Sequence, residues 1–421
     1  MSQSTTNTRR VVVTGMGALT PIGNTVKTFH EGLKAGTSGG GEITYFDTGN
    51  FKTKIACELK DFDIRDYLDR KEIRVNDPYL QYALVSTAEA IEDAGLDFDQ
   101  VDRYRTGVIW GTGNGGIQSF YDEVKEYAEG EGIPRFNPYF VPKIIVNMAS
   151  GVISIKYGLK GVSFTPVSAC ATGNTAIIEA ANYIRWNKSD VVIAGGSDAA
   201  INEAGIAGFN ANKALSTRND DPERASRPFD KERDGFVMGE GSGTLILEDL
   251  EHAKRRGAKI YAEVVGGAMT SDAHHLTATH PEGEGAQRAI NLGLEEANIK
   301  ISDVDYINMH ATSTPMGDIS ELKAIRSVIN GASPKISATK SMTGHLLGGA
   351  GAVEAIASIL SIQHNFIPPT INTTHLDEEV PEGLDIVLEK AQDHEVNVAM
   401  SNTFGFGGHN AIVLFKKYEE S

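Results

Sequence analysis

Two distant stretches of this chain are built to one local plan. SACATGNTAIIEAANYI, from Ser168, can be laid beside TKSMTGHLLGGAGAVEAIASIL, from Thr339, and each is a small-residue turn feeding an apolar helix. Each is followed by a strand-like run, Asp190 to Gly195 in one case and Val396 to Met400 in the other. Each is also preceded by one, with GVIWGTGNGG in the first half matching YINMHATSTP in the second. Self-similarity on this scale limits the fold more than any single element, because repeated patterns bury repeated faces. The chain therefore reads as two similar halves, 9–256 and 257–417, dividing near Arg256 to Lys259. No Pro- or Ser-rich linker separates them, so they are expected to pack as one unit.

Within the halves, β-branched apolar runs recur at Val11 to Thr14, Thr106 to Trp110, Val191 to Ala194, Ile260 to Val265, Tyr306 to Met309, Val396 to Met400 and Ala411 to Phe415. Their length and composition mark buried strands. Helical periodicity lies between several of them, at Asp77 to Ala94, Thr175 to Arg185, Gly285 to Ala297, Ile319 to Ile329 and Gly351 to Gln363. Such alternation predicts an α/β fold with largely parallel sheets. At 421 residues and 40% hydrophobic content the chain can bury two domain-sized cores.

Composition removes several functions. A formal net charge of -17 argues against a nucleic-acid partner, which demands a basic face. MSQSTTNTRRVVVTG has no apolar stretch ahead of its first strand, and no later run approaches the roughly 18 apolar residues of a membrane span. The expectation is a soluble, cytoplasmic protein without a membrane partner. The two cysteines, Cys57 and Cys170, read as free thiols in so long a chain. No CxxC or HExxH spacing occurs, so no metal site is expected, although His274 and His275 could take up an ion adventitiously.

Two glycine patterns imitate a nucleotide loop. Gly111, Gly113 and Gly116 spell GxGxxG after a strand, but the acidic residue wanted about 20 positions on falls in the polar stretch AEGEGIPRF rather than at a strand end. Gly15 and Gly17 also follow a strand, yet Thr20 and Pro21 stand where a third glycine and a helix belong. Tight turns and close backbone packing account for both.

The residues with chemistry cluster at strand-to-helix turns. Cys170 lies at or just before a helix N-terminus among Ser168, Ala169, Ala171 and Gly173, where the helix dipole is expected to lower the thiol pKa. Cys57, in KIACELK, reads instead as a small buried hydrophobe. His310 ends the strand YINM, and His345 ends KSMTGH before a glycine-rich helix. One histidine would serve a cysteine as base; two imply a further step that stabilises developing negative charge. Lys340 shares the turn with His345. In SNTFGFGGHN, Phe404 and Phe406 stand among glycines, as either a mobile aromatic gate or a static hairpin turn.

Taken together, VSACATG around Cys170, ALSTRNDDPERASRPFDKERDGFVMGEG from Ala214, HATSTPMGD from His310, KSMTGHLLGGAGAVEA from Lys340 and SNTFGFGGHN from Ser401 resemble the β-ketoacyl-acyl carrier protein synthases. The likeness is strongest to the type II, elongating branch of bacterial fatty acid synthesis, and it runs from about Arg9 to Lys417. It implies a thiolase-like fold in an α-β-α-β-α layering, a homodimer, and no cofactor beyond the phosphopantetheine that arrives on acyl carrier protein. By the same resemblance Cys170 takes the acyl chain as a thioester, and His310 and His345 bind the malonyl thioester oxygen and assist its decarboxylation. Lys340 supports them, Thr312 and Thr314 touch the pantetheine arm, and the N–H groups of Cys170 and Phe406 form an oxyanion hole. Phe404 and Phe406 resemble the acyl gate, and Glu354 matches a structural acid of undefined role. Lys71, Arg74, Arg135 and Lys213 match carrier-docking positions.

This chain departs from the family at three places. Ala311 replaces the glycine of HGTSTP, where the added methyl is either accommodated or shifts the local backbone; Asn114 stands where an apolar residue near the acyl-pocket floor is usual; Val75 and Phe136 replace basic docking residues. Alternatives remain: a thiolase, which needs a second cysteine; a chain-length factor, which lacks the nucleophile; and a synthase of polyketide or aryl-polyene pathways.

Overall fold

The computed structural model describes residues 9–420. Its central feature is an eleven-stranded sheet. In chain order the strands are β1 (Val11–Leu19), β2 (Thr106–Gly111), β3 (Ser163–Phe164), β4 (Val191–Asp198), β5 (Gly241–Asp249), β6 (Ala262–Ser271), β7 (Tyr306–Asn308), β8 (Lys335–Ser337), β9 (Asp385–Ile386), β10 (Val398–Gly405) and β11 (His409–Lys416). Their spatial order is β9-β8-β7-β10-β11-β6-β1-β5-β4-β2-β3.

Read outward from its middle, the sheet repeats itself. One side runs β1, β5, β4, β2, β3, with two antiparallel joins and then two parallel ones. The other runs β6, β11, β10, β7, β8 with the same sequence of directions. A short antiparallel contact, Val12 with Glu263 and Val13 with Ala262, joins the two sides. Strand β5, GSGTLILED, escapes sequence reading because it opens on Gly-Ser-Gly. Helix packing explains the glycine: a Cβ at Gly243 would meet the backbone of Ala352 and Val353 at 2.8 Å.

Helices complete a five-layer α-β-α-β-α arrangement. We label α1 (Pro78–Asp93), α2 (Thr172–Arg185), α3 (Glu284–Ala297), α4 (Pro315–Val328) and α5 (Ala350–His364). The outer helix α1 covers β1 and β5, and α3 covers β6 and β11, while α2 and α5 lie between the half-sheets and touch both. Their burial suits them to that middle layer, since α5 is buried from Ala350 to Ile362. Close approach accounts for the second glycine pattern, Gly15 and Gly17, because a Cβ at Gly17 would lie 1.9 Å from the Ser86 carbonyl oxygen of α1.

The repeat also corrects one alignment. Middle helices α2 and α5 are each fed by a 3₁₀ turn, Ala169–Ala171 and Leu347–Gly349, and each turn opens on a non-glycine residue in the left-handed region, Ala169 at φ 50° and Leu347 at φ 52°. Cys170 therefore corresponds to Gly348. TKSMTG forms a separate short helix, Lys340–Thr343, that the first half does not have at this place. Local composition made the two turns look equivalent, whereas backbone geometry assigns the match to the turn that follows.

Candidate active site

Cys170 is the middle residue of the turn between β3 and α2. The left-handed Ala169 before it is a strained position for an L-residue, of the kind that recurs at functional sites. Against this turn lies the β10–β11 hairpin, in which Phe404 pairs with Asn410 and Gly405 with His409. Gly405 has to be glycine, because a Cβ there would meet the Ser168 carbonyl oxygen at 2.5 Å and the Cys170 nitrogen at 3.0 Å. That close approach directs the backbone N–H of Phe406, together with that of Cys170, at the thiol. The SNTFGFGGHN run is thus a β-hairpin, with Gly407 and Gly408 taking the left-handed backbone at its tip.

His310 follows β7, at the carboxyl end where α/β sheets concentrate their sites. Its N–H and that of Ala311 donate to the two oxygens of Glu321, at 3.0 and 2.9 Å, and Asn402 Nδ2 donates to the same carboxylate at 3.0 Å. The Ala311 methyl is buried in an apolar cluster, and the left-handed residue of this turn is Ser313 instead. Of the two outcomes open at Ala311, the structure shows the methyl accommodated. His345 is pinned from the other side: its N–H donates to the Val237 carbonyl at 2.8 Å, and its own carbonyl accepts from Gly239 N–H at 2.9 Å. The segment around Gly235 to Gly241 thus clamps a histidine more than a hundred residues away.

These elements converge on one cavity of about 370 Å³ lined by Cys170, His310, His345, Thr312, Thr314, Phe404 and Phe406. The imidazoles sit edge to face with centroids 5.2 Å apart. Phe404 packs on His310 at 5.7 Å, and Phe406 faces Phe209 at 6.2 Å. Thr312 and Thr314 hydroxyls lie 3.1 Å apart, with Asp318 and the buried Arg233 holding the turn that carries them. Lys213 lies exposed on the cavity rim. Lys71, Arg74 and Arg135 lie elsewhere, exposed on the surface, the first two on the short helix Arg70–Val75. Lys340 is behind the cavity wall, 1% exposed, with Nζ on Glu354 Oε1. Asn114 does not line the cavity; its N–H donates to Asp198 at 3.0 Å.

This chain matches the family profile described as Beta-ketoacyl synthase, N-terminal domain, over residues 8–253, and Beta-ketoacyl synthase, C-terminal domain, over residues 261–374. It belongs to the β-ketoacyl synthase family. It is 49% identical to 3-oxoacyl-[acyl-carrier-protein] synthase 2 of Staphylococcus aureus strain COL, covering 98% of this chain and 99% of the relative. The Synechocystis protein of the same name is 47% identical over the same shares. Among solved structures, the ishigamide ketosynthase/chain length factor aligns with TM-score 0.91 at 36% identity, covering 98% of this chain and 100% of that one. A type II PKS ketosynthase in complex with its acyl-carrier protein aligns with TM-score 0.90 at 32% identity, with the same coverage.

The electrostatics of this ketosynthase correct one expectation. Burial pushes the Cys170 thiol up to about 12, and Asp198 adds to the rise, while Lys340 and the N–H groups of Phe406 and Cys170 pull the other way. The helix-terminus argument fails because desolvation outweighs it. Alkylation of Cys170 by iodoacetamide is therefore expected to accelerate about tenfold per pH unit from about pH 7 to about pH 10, without a plateau. Levelling near pH 8.5 in a rate profile would instead mean an ordinary thiol. Burial, aided by the Lys340 charge, also holds both imidazoles well below the usual histidine range. They are neutral at pH 7, and the buried Nδ1 of each has no hydrogen-bond partner among the described residues. Cys57 is sealed, 1% exposed, and its thiol too is raised to about 12 by burial.

Two carboxylates that build this site were not singled out from the sequence. Glu321, on α4, is 1% exposed and raised to about 7 by burial. Its one signal is an acid inside the apolar pattern ISELKAIRSVI. Asp198, fully buried at the end of β4, accepts from Gly113 N–H at 2.8 Å, Asn114 N–H at 3.0 Å, Thr112 Oγ1 at 3.0 Å and Gly348 N–H at 2.6 Å. The GxGxxG loop thus spends the N–H groups of Gly113 and Asn114 on an internal carboxylate. Among the described residues no group of three or more His, Cys, Asp and Glu side chains is placed to hold a metal ion, and no helix is long and apolar enough to cross a membrane.

Proposed function

We propose that this ketosynthase condenses malonyl-acyl carrier protein with an acyl group held on Cys170, yielding 3-oxoacyl-acyl carrier protein and carbon dioxide in fatty acid elongation. One observation carries the reading: a single cavity holds a thiol flanked by two N–H donors and, opposite, two neutral imidazoles, His345 buried and His310 half-buried. Halves 9–256 and 257–417 act as one unit, since the first supplies the thiol and the second the histidines.

In the first half-reaction Cys170 Sγ attacks the acyl thioester carbonyl of the carrier. The new S–C bond forms as the carrier's C–S bond breaks, and the thiol proton leaves with the pantetheine sulfur. N–H groups of Cys170 and Phe406 hold the oxyanion. In the second, the malonyl thioester oxygen takes hydrogen bonds from His310 and His345. Neutral imidazoles suit this task, because each offers one N–H donor without surrendering a proton. The C–C bond to the carboxylate breaks, carbon dioxide departs, and the electron pair enters the enolate. Its carbon attacks the acyl carbonyl and expels the Cys170 thiolate, which takes one proton from solvent. Burial, with the Lys340 charge adding to it, keeps the imidazoles neutral, and Glu354 holds Lys340 in place. Thr312 and Thr314 receive the pantetheine arm, and Phe404 with Phe406 gates the acyl pocket.

Replacing His345 with alanine is expected to cut release of labelled carbon dioxide from malonyl-carrier protein by about a hundredfold or more. Undiminished release would remove His345 from that step. The partner is acyl carrier protein, whose acidic surface meets Lys71, Arg74, Arg135 and Lys213. Lys71→Glu with Arg74→Glu should weaken carrier binding about tenfold at low salt, an effect that fades as salt rises. Equal affinity in titration calorimetry would reject this patch. The chain works in the cytoplasm as a homodimer, consistent with edge strand β3 and the exposed apolar residues Val167 and Trp186 nearby. A polyketide or aryl-polyene pathway is the second reading, prompted by the ishigamide and type II PKS relatives. The higher identity to the fatty acid enzymes, 49% against 36% and 32%, favours the first.

A further inference from the structure

The segment that clamps His345 is itself anchored by a side chain that does not line the catalytic cavity. Phe236 sets its ring edge to face against the imidazole, with centroids 5.2 Å apart, while Val237 and Gly239 hold the His345 backbone. Glycine bounds the segment at both ends, Gly235 at φ 143° and Gly241 at φ 137°, a backbone that side chains rarely permit. Between these two, FVMGE offers one polar side chain, Glu240.

Glu240 is 2% exposed and fastens the clamp to three other segments. One carboxylate oxygen accepts from Tyr45 Oη and from Leu59 N–H at 3.1 Å, and the other accepts from Tyr82 Oη, on α1, at 3.0 Å. Two residues before Leu59, Cys57 N–H donates to the Met238 carbonyl at 2.7 Å. Backbone groups of the clamp thus alternate, Val237 and Gly239 toward His345 and Met238 toward Cys57, as along a short extended strand. Its one side-chain tie runs through Glu240 to α1, which is packed across β1 and β5. Three donors converging on one buried acceptor fix where that acceptor sits.

Building on the ketosynthase reading, we infer that Glu240 is a positioning residue for decarboxylation: it touches no substrate, and by anchoring the clamp it aims His345 at the malonyl thioester oxygen. A misplacement of about 1 Å can cost on the order of a hundredfold in rate, so a fraction of that shift is readable in kinetics. Acylation supplies the internal control. The Cys170 turn is held by other bonds, from Ser168 N–H to Thr172 Oγ1 and between the Ser168 and Thr175 hydroxyls, both at 2.8 Å.

The test measures two rates on each protein: release of labelled carbon dioxide from malonyl-carrier protein, and formation of the Cys170 adduct from butyryl-carrier protein by intact-protein mass spectrometry. Glu240→Met keeps the length of the side chain and removes its acceptors. Carbon dioxide release is expected to fall about tenfold, with acylation within about twofold of wild type. Glu240→Gln keeps an oxygen for Tyr45 and Leu59 and gains an amide that donates to Tyr82 Oη, so it should restore release to within about twofold. Tyr45→Phe with Tyr82→Phe removes two of the three donors and keeps both rings; it should lower release in the same selective way, and it decides the question if Glu240→Met does not fold. Equal losses in both rates, release untouched by these variants, or a Glu240→Gln defect as deep as that of Glu240→Met overturns the inference. A wild type that neither takes up butyryl nor releases carbon dioxide counts instead against the ketosynthase reading itself.

Discussion

Cys170→Ala abolishes the covalent acyl-enzyme and lowers condensation by at least about a thousandfold, because no other thiol lines the cavity to hold the acyl chain. The expectation is sharp for a structural reason. Cys57, the second cysteine of the chain, is packed beneath Gly344, where a Cβ would come within 2.7 Å of its sulfur, and it has no opening to the cavity. An acyl-carrier protein incubated with the wild type should add one acyl mass, and with the variant none. Identical adducts on both proteins would refute Cys170 as the carrier. Because the imidazoles and their supports are untouched, the variant should still release carbon dioxide from malonyl-carrier protein. Loss of both activities together would point to collapse of the turn rather than to loss of the nucleophile.

A second large effect is expected at Lys340. Its ammonium and the Glu354 carboxylate are 1% and 2% exposed and face each other behind the histidines. Burial raises Glu354 to about 7 against the pull of Lys340. Lys340→Met leaves that carboxyl alone in the core, a change that costs roughly 3–5 kcal/mol when one partner of a buried pair is removed. The pH dependence has a definite sign. Glu354 binds its proton more tightly folded than unfolded, so this group favours the fold at acid pH, and its contribution falls as pH climbs from about 4.5 to about 7. Without Lys340 the folded-state pKa rises further, and the loss continues above pH 7. Thermal unfolding should therefore show the variant's deficit growing from pH 6 to pH 9, and Lys340→Met with Glu354→Leu should recover much of it. A deficit independent of pH would mean that packing, not charge, holds this pair. The single variant should also move the acid limb of condensation upward in pH, since the Lys340 charge is one of the forces that keeps His310 and His345 neutral.

Much of the architecture was legible because it is written locally. Turn residues before apolar helices announced Cys170, and a strand ending in a histidine announced His310; each needs only its neighbours to be recognised. Helix spans were read to within a few residues, as with Gly285 to Ala297 against the observed Glu284–Ala297. The resemblance to ketosynthases, carried by five ordered motifs, was likewise present before any coordinate. Strand β5 was missed because its Gly243 answers to a helix packed across it and its Gly241 to the neighbouring Leu19 backbone, and the alignment of the two halves slipped because TKSMTG imitates the cysteine turn in composition but not in backbone.

What the amino-acid sequence determined alone was the inventory: a nucleophile, two imidazoles, a lysine and aromatic side chains at turn positions of an α/β chain with two similar halves. Only the tertiary structure decided their chemistry. Asp198 reaches the glycine loop and Gly348 across 85 and 150 residues, and Glu321 takes the backbone of His310 from a neighbouring helix. No local pattern specifies which carboxylate meets which amide. The state of the thiol shows the division most clearly: position along the chain argued for a lowered pKa, and burial raised it, because desolvation is set by everything packed around a group rather than by its neighbours in sequence.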